Sequence, residues 1–532
     1  MKRDIKALRS KTFDLLVIGA GVHGACVARD AALRGLRVAI IDKGDIGGAT
    51  SHNSLKTIHG GIRYLQHFNF KRTLESIKEQ KYWLETAPHL VKPIQFMMPT
   101  YGWGMRGPIA MYIGIRLYEL LSMGRNRRLS KQSKLARGKI LSKRECLEKA
   151  PDIPTSNLTG GAQWDEAQVE YADQAVMQVV QDAQHHQAVV ANYVRASQFL
   201  LQENRVVGVE AVDELTRATF TIQADMVINA AGPWVIELLN QSEVKSLTGQ
   251  VIPMSKSMNI VTRLPANSAA IGVQSSLESD SKIGSTKRLY FMVPWQGLTV
   301  IGTTHFAYPD EADKMQQEGD EIAAFIDEIN HAYPSLQLTT DDVLYCYQGL
   351  GPADDDSGSK ATQLHHSKVI DHSVEHKIHG LISIISVKWT TARLVAEKSV
   401  NLALRKLAPD AVKATSASNQ DCVTRHQSIP DFPELHPRFS QLTDTELVAH
   451  CQRHLQQTMA HRLSDMLLRR TDDLVTNRLS IDQIKIVAKT MSNYFNWSQD
   501  EQTEQLKELT KIHLSDRIEQ QLAENNFWDT AI

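Results

Sequence analysis

The chain has 532 residues, 42% hydrophobic and 22% charged, the balance of a soluble globular protein of about three to five compact units. Its 59 basic and 60 acidic residues nearly cancel, so no global positive field recruits nucleic acid, and no nucleic-acid partner is expected. Cys26, Cys146, Cys346, Cys422 and Cys451 are scattered with no CxxC pair, which argues against a disulfide framework or zinc knuckle and for a reducing compartment.

The N-terminal stretch MKRDIKALRSK is basic but has no apolar region behind it, so no secretory signal is expected. Residues 13–18 form a strand, 19–24 a glycine turn, 25–34 an alanine-rich helix stopped by Gly35, and 36–41 a second strand. This is a βαβ unit of a parallel sheet. Residues 106–121 (RGPIAMYIGIRLYELL) mix apolar residues with two arginines. They fit a helix in a bilayer interface or a buried helix with a snorkelling arginine, and both readings stay open. No apolar run approaches the roughly 20 residues of a spanning helix.

Further strands are expected at 226–229 and 381–386, and an antiparallel pair over 288–303 around a Gln296-Gly297 turn. Residues 408–437, with Pro409, Pro430, Pro433 and Pro437, read as a linker. Beyond it stand three capping boxes, Thr443/Glu446, Ser480/Gln483 and Ser498/Glu501, each a helix start. Val448, Leu455, Met459, Leu463 and Leu467 then recur at helical spacing. The histidines show no ligand spacing with a third partner, so no metal site is expected.

Gly19-Ala20-Gly21-Val22-His23-Gly24 matches GxGxxG between a strand and a helix, and Asp42 ends the next strand. Gly19 permits the tight turn, Gly21 lets the backbone approach a pyrophosphate, and Gly24 lets helix and strand pack closely. The pyrophosphate sits on the helix N-terminus, and Asp42 accepts the adenosine ribose hydroxyls. This motif does not separate NAD from FAD. A second element, Ile228-Asn229-Ala230-Ala231-Gly232-Pro233-Trp234, suits close backbone approach to a large cofactor gripped from several segments.

Residues 49–65 (ATSHNSLKTIHGGIRYL) resemble the segment after the first βαβ unit in aerobic, FAD-dependent glycerol-3-phosphate dehydrogenases. So do Ala87-Pro88-His89-Leu90, Ala230-Ala231-Gly232-Pro233-Trp234, Pro294-Trp295, Ile301-Gly302-Thr303-Thr304 and Lys388-Trp389-Thr390-Thr391-Ala392-Arg393. Residues 462–471 (RLSDMLLRRT) resemble that family's helical tail. The resemblance implies an α/β fold: a glutathione-reductase-type, Rossmann-like FAD domain with an inserted antiparallel-sheet substrate domain and a C-terminal all-α domain. The expected division is an oxidoreductase domain over 1–410. Its FAD-binding parts are 12–100, 160–240 and 345–410, and its cap is 245–345. A linker over 411–437 and helices over 438–532 follow.

By the same resemblance, Gly19, Gly21, Gly24, Asp42 and Lys43 hold the ADP half of FAD. Thr50, Ser51, Lys56, Gly60, Gly61, Ala231, Gly232 and Thr390 complete the cofactor site, with Thr391 near it. His59, Arg63, Tyr64, His305 and Lys388 carry the catalytic end. The implied chemistry is oxidation of a secondary alcohol, glycerol 3-phosphate or a related polyol, by hydride transfer to flavin N5, with electrons passing to a quinone. That implies a cytoplasmic protein, peripheral on the inner membrane face, with a small, anionic hydroxylated substrate; a homodimer is left open. His59 and His305 are both candidate bases, because neutral histidine accepts a proton near pH 7. Lys388 suits the charge of reduced flavin.

Four departures bear on the substrate. The family's arginine is Gly351, its histidine is Asn259, its aspartate is His305, and its paired glycines are Ser386 and Val387. Losing a guanidinium removes a bidentate phosphate grip. Arg63, Lys256 and Arg393 are the candidates to replace it. A paralogue acting on a different hydroxyl compound is therefore a live expectation. The alternatives are an FAD-dependent amine or amino-acid oxidase, and a non-catalytic FAD-binding protein with a docking tail.

Overall fold

The computed structural model describes residues 1–104, 107–241, 251–279, 286–316, 319–354, 362–364, 366–407, 426–435 and 438–510. Parallel strands stand in the spatial order Leu381–Ile385, Thr219–Asn229, Thr12–Ile18, Val38–Ile41, Val189–Ala191. The continuous apolar run of Val38–Ile41 is buried throughout, as expected of a parallel strand covered on both faces. One cover is helical. Val22–Leu33 buries Ala25, Ala28, Ala31 and Ala32, and these small side chains let Ala172–His185 and Ala392–Leu407 pack directly against it. The helix starts at Val22 rather than 25, with Gly21 as its cap. The other cover is the antiparallel meander of Val194–Gln202 and Arg205–Asp213, running into Thr219–Asn229. Its Phe199, Val206 and Val209 meet Leu16 and Ile41.

A second, mostly antiparallel sheet runs Val343–Asp354, Met254–Pro265, Leu298–Tyr308, Thr286–Trp295, Ala270–Ser279, Val91–Tyr101, Leu158–Val169. Thr286–Trp295 and Leu298–Tyr308 form the expected pair. Gln296 and Gly297 both have positive φ (53° and 83°), the signature of a tight hairpin turn. This sheet is not confined to 245–345. Val91–Tyr101 and Leu158–Val169 belong to it, although both include residues expected to build the FAD part. Val91–Tyr101 joins Ala270–Ser279 and in turn pairs with Leu158–Val169, a long-range choice that local pattern does not encode.

Helices Asp444–Gln457, Leu463–Arg469, Ile481–Phe495 and Gln499–Thr510 follow. In the three capping boxes, the N–H groups of Thr443, Ser480 and Ser498 donate to Glu446, Gln483 and Glu501 at 2.9, 3.1 and 2.7 Å. The apolar spacing from Leu455 to Leu467 suggests continuity, yet the helix stops at Gln457, and Met459 takes φ 52°. Asp465 restarts it by accepting the N–H groups of His461 and Arg462. The helices dock on the second sheet through Val261, Trp295, Val300, Tyr345 and Tyr347. Most of the expected linker over 411–437, and the tail beyond 510, lie outside the described residues. Among the described residues no helix is long and apolar enough to cross a membrane.

Candidate active site

Strand ends and loops of both sheets line one cavity of about 2380 Å³. That is more than twice the roughly 300–1,000 Å³ of an ordinary small-ligand pocket, so a dinucleotide and a second small molecule fit together. One end is made by the glycine turn. A side chain on Gly19 would put its Cβ 2.5 Å from the Ala230 carbonyl oxygen, and one on Gly24 would fall 1.8 Å from the Gly19 oxygen. Both positions are closed to any other residue. Gly21 instead opens on the cavity, its nearest obstacle Ser51 Oγ at 3.1 Å. Ala231 and Gly232 line the wall beside it.

Asp42 is partly engaged already. Its carboxylate accepts the Ala20 N–H at 2.6 Å and the Gly44 N–H at 2.9 Å. Burial raises its pKa to about 6 against those two hydrogen bonds. Ser51 Oγ accepts the Val22 N–H at 2.9 Å, and Thr50 donates to the Leu350 carbonyl at 2.8 Å. Lys43 lines the cavity, but its ammonium pairs with Asp313 at 2.5 Å and lies 3.9 Å from the Trp234 ring centre. The glycine cradle, the pre-set polar groups and the cavity's volume fit FAD. When bound, FAD supplies a two-electron acceptor.

Four expected cofactor residues do not line the cavity: Gly24, which packs against the Gly19 backbone, and Lys56, Gly60 and Thr390. Lys56 has φ 58°, which turns its side chain into the core. There its Nζ donates to the His52 carbonyl at 3.1 Å and stands 4.2 Å from the Tyr347 ring centre. Gly60 is buried because a Cβ would meet the Tyr118 hydroxyl at 1.9 Å, and its N–H is held by Glu166 at 2.5 Å. Thr390 is buried, and its carbonyl accepts the Trp83 indole N–H at 3.3 Å. Gly61, by contrast, lines the cavity at φ 86°.

At the other end the cavity brings together His59, Arg63, Tyr64, His305 and Lys388. The Lys388 amine donates to the Tyr64 hydroxyl and lies 3.9 Å from that ring's centre. Burial, then the charges of Arg72 and Arg63, lower its pKa to about 6, with Glu75 opposing. Burial takes His59 down to about 3, assisted by Arg63 and Lys388. His305 falls to about 4 through burial, Arg288 and Arg63, and its Nδ1 pairs with Ser257 Oγ at 3.0 Å. Both imidazoles are therefore neutral at pH 7.

Of the three cations expected to replace the arginine missing at Gly351, only Arg63 reaches the cavity. Lys256 is buried on Glu321 at 2.5 Å, and Arg393 is clamped between Glu79 and Glu397. Arg72 and Arg288 do line it, and sequence reasoning missed both. Arg72 stacks 4.0 Å from the Tyr64 ring centre, and its Nε is buried without a hydrogen-bond partner among the described residues. Glu166 was missed too. It accepts from Gly60, from Gln80 at 2.6 Å and from Trp164 at 3.1 Å, and burial raises it to about 7. Asn259 also lines the cavity, its amide oxygen accepting from Thr303 at 2.7 Å. No local motif marks these positions. The one available signal was the pair of adjacent carboxylates, Asp165 and Glu166, inside the strand Leu158–Val169.

The model of the FAD dependent oxidoreductase family matches residues 14–394. A glycerol-3-phosphate dehydrogenase of Synechocystis is 30% identical, over 95% of this chain and 97% of its own length. An aerobic glycerol-3-phosphate dehydrogenase of Staphylococcus aureus is 30% identical over 76% of this chain and 69% of its own. The crystal structure of a Bacillus halodurans glycerol-3-phosphate dehydrogenase complexed with FAD superposes with a TM-score of 0.70. It is 24% identical and covers 98% of this chain and 96% of that one, and the likeness speaks for the fold. With a glycine cradle sized for a dinucleotide and relatives matching nearly end to end, the chain belongs to the FAD-dependent oxidoreductases, in the glycerol-3-phosphate dehydrogenase family, and is a flavoenzyme.

Proposed function

We propose that this enzyme oxidises the secondary alcohol of glycerol 3-phosphate, or of a closely related polyol phosphate, to the ketone, and passes the electrons to a membrane quinone. The observation that carries this reading is a concentration of charge. The guanidiniums of Arg63, Arg72 and Arg288 line the end of the cavity that holds both histidines and Lys388. Of the carboxyls around them, Glu75 opposes Arg72 and Lys388 from outside the lining, and burial raises the pKa of the lining Glu166 to about 7, which weakens its negative charge. Such an end favours an anion, and the three guanidiniums provide the planar forks that suit phosphate.

The charges also rank the proton acceptors. A catalytic base works best with a pKa near the operating pH. At about 6, Lys388 is better placed than His59 at about 3 or His305 at about 4. In this reading the neutral Lys388 amine takes the hydroxyl proton, Tyr64 orients it, and the two imidazoles hold the substrate. Anaerobic addition of glycerol 3-phosphate should bleach the flavin's visible band, whereas glycerol and 2-hydroxy acids should leave it intact. Bleaching by amines or amino acids instead would establish the oxidase alternative.

A second observation favours the membrane reading of residues 106–121. Helix Pro108–Leu121 leaves Ile109 64%, Ile113 61% and Leu120 60% exposed, beside Trp103 and Met123, each 76% exposed. Ile113 also lines the cavity. An apolar patch at a cavity mouth suits shallow insertion into a bilayer and entry of an apolar acceptor. Replacing Ile109 and Ile113 by aspartate should abolish co-flotation with anionic liposomes and quinone reduction, while flavin bleaching by substrate persists.

A further inference from the structure

Helix Leu463–Arg469 ends in two consecutive arginines that reach across to Asp45, in the turn after the strand Val38–Ile41. Their roles differ. Arg470 is fully committed: Nη1 and Nη2 each donate to Asp45 at 2.8 Å, and Nε and Nη2 donate to Thr458. Arg469 donates from Nε to Asp45 at 2.6 Å and from Nη2 to Asp465. Its Nη1 takes no hydrogen bond among the described residues, and the side chain lines the cofactor cavity. It lies against Gly48, where a Cβ would stand 3.5 Å from Nε and 3.6 Å from Cζ. Asp465 is itself fixed, since it also accepts the Tyr193 hydroxyl at 2.7 Å.

The two carboxylates balance the two guanidiniums, so the cluster brings no net charge into the cavity. What it brings is a donor that cannot move. Holding an arginine by two ion pairs removes its rotamer freedom before a ligand arrives, so little further ordering is lost on binding.

We propose that Arg469 is an FAD-binding residue: the C-terminal helices complete the cofactor cavity by presenting Nη1 to an oxygen acceptor of the dinucleotide. The two parts of the chain then share one ligand, rather than the helices merely docking beside it.

The test measures equilibrium release of FAD from the purified full-length holoenzyme on serial dilution, read by flavin fluorescence. Arg469→Gln should raise the dissociation constant roughly tenfold or more, the scale of a lost charge-assisted hydrogen bond. Arg478→Gln is the control. Arg478 bonds the Gln296 carbonyl at the interface between the helices and the sheet, away from the cavity, so this variant should lower Tm and leave FAD affinity unchanged. Arg469→Gln takes the cation away from Asp465, so Arg469→Lys, which keeps the charge and loses the fork, is the second variant that guards against a folding defect, with an expected rise of a few-fold. Wild-type FAD release from either Arg469 variant, or equal weakening in Arg478→Gln, would overturn the proposal.

Discussion

The two ends of the cavity are built in opposite ways. The cofactor end comes largely from one continuous stretch, Gly19 to Ser51, where turn, cap and strand end are near neighbours in sequence. The substrate end gathers Arg63, Arg72, Glu166, Arg288, His305 and Lys388 from both sheets and the loops between them. The first end is held by steric necessity at glycines. The second is held by charge, and burial has moved every titratable group in it whose shift is resolved: Lys388, Arg72, both histidines, Tyr64 and Glu166. A lesion at one end should therefore cost the flavin, and a lesion at the other should cost turnover while the flavin stays.

The largest separation is expected from Lys388→Met. Removing a general base costs about 10²- to 10⁴-fold in rate, and the purified variant should keep its full flavin absorbance. The wild-type profile checks the same assignment. Above a pKa of about 6 the amine is neutral and accepts a proton. Below it the ammonium cannot, so kcat/KM should fall about tenfold per pH unit under pH 6, and Lys388→Met should lose that limb.

Next comes the opposite lesion. Gly24→Ala drives a Cβ to 1.8 Å from the Gly19 carbonyl oxygen, which forces backbone movement worth about 1–3 kcal/mol. The protein should emerge depleted of flavin, with a lowered Tm. If Gly24→Ala retains FAD and loses only turnover, the division between the ends fails.

Arg288→Gln sharpens the charge argument, with KM for an anionic substrate rising about ten- to hundredfold and kcat changing less. Thr50→Val is the mildest. It removes one hydrogen bond, to the Leu350 carbonyl, worth about 1 kcal/mol, and thermal melting of the holoenzyme should register a drop of about one degree.

The same contrast explains what the sequence made legible. The glycine turn, Asp42, the Gln296-Gly297 hairpin and the three capping boxes each depend on residues within a few positions, so their chemistry can be read locally. Lys56 could not be read that way. Its motif neighbours line the cavity, but a left-handed φ turns the ammonium toward Tyr347. Gly60 looked like a cofactor contact and is required by a tyrosine from the helix Pro108–Leu121. Arg72 and Arg288 carried no signal, because their meaning arises only when a helix start and a strand end close on the same space. Gly351 was read as a missing grip, yet the charge it lacks is present on other walls.

The central claim is that placed cations, not the lost arginine, select an anionic alcohol. The direct measurement is the rate of anaerobic flavin reduction by glycerol 3-phosphate relative to glycerol, in the wild type and in the Arg63→Gln/Arg288→Gln double variant. The cation cluster requires a preference of at least a hundredfold in the wild type that largely collapses in the double variant, with FAD content unchanged. Equal rates for the two alcohols in the wild type, or a preference that survives the loss of both arginines, would contradict it.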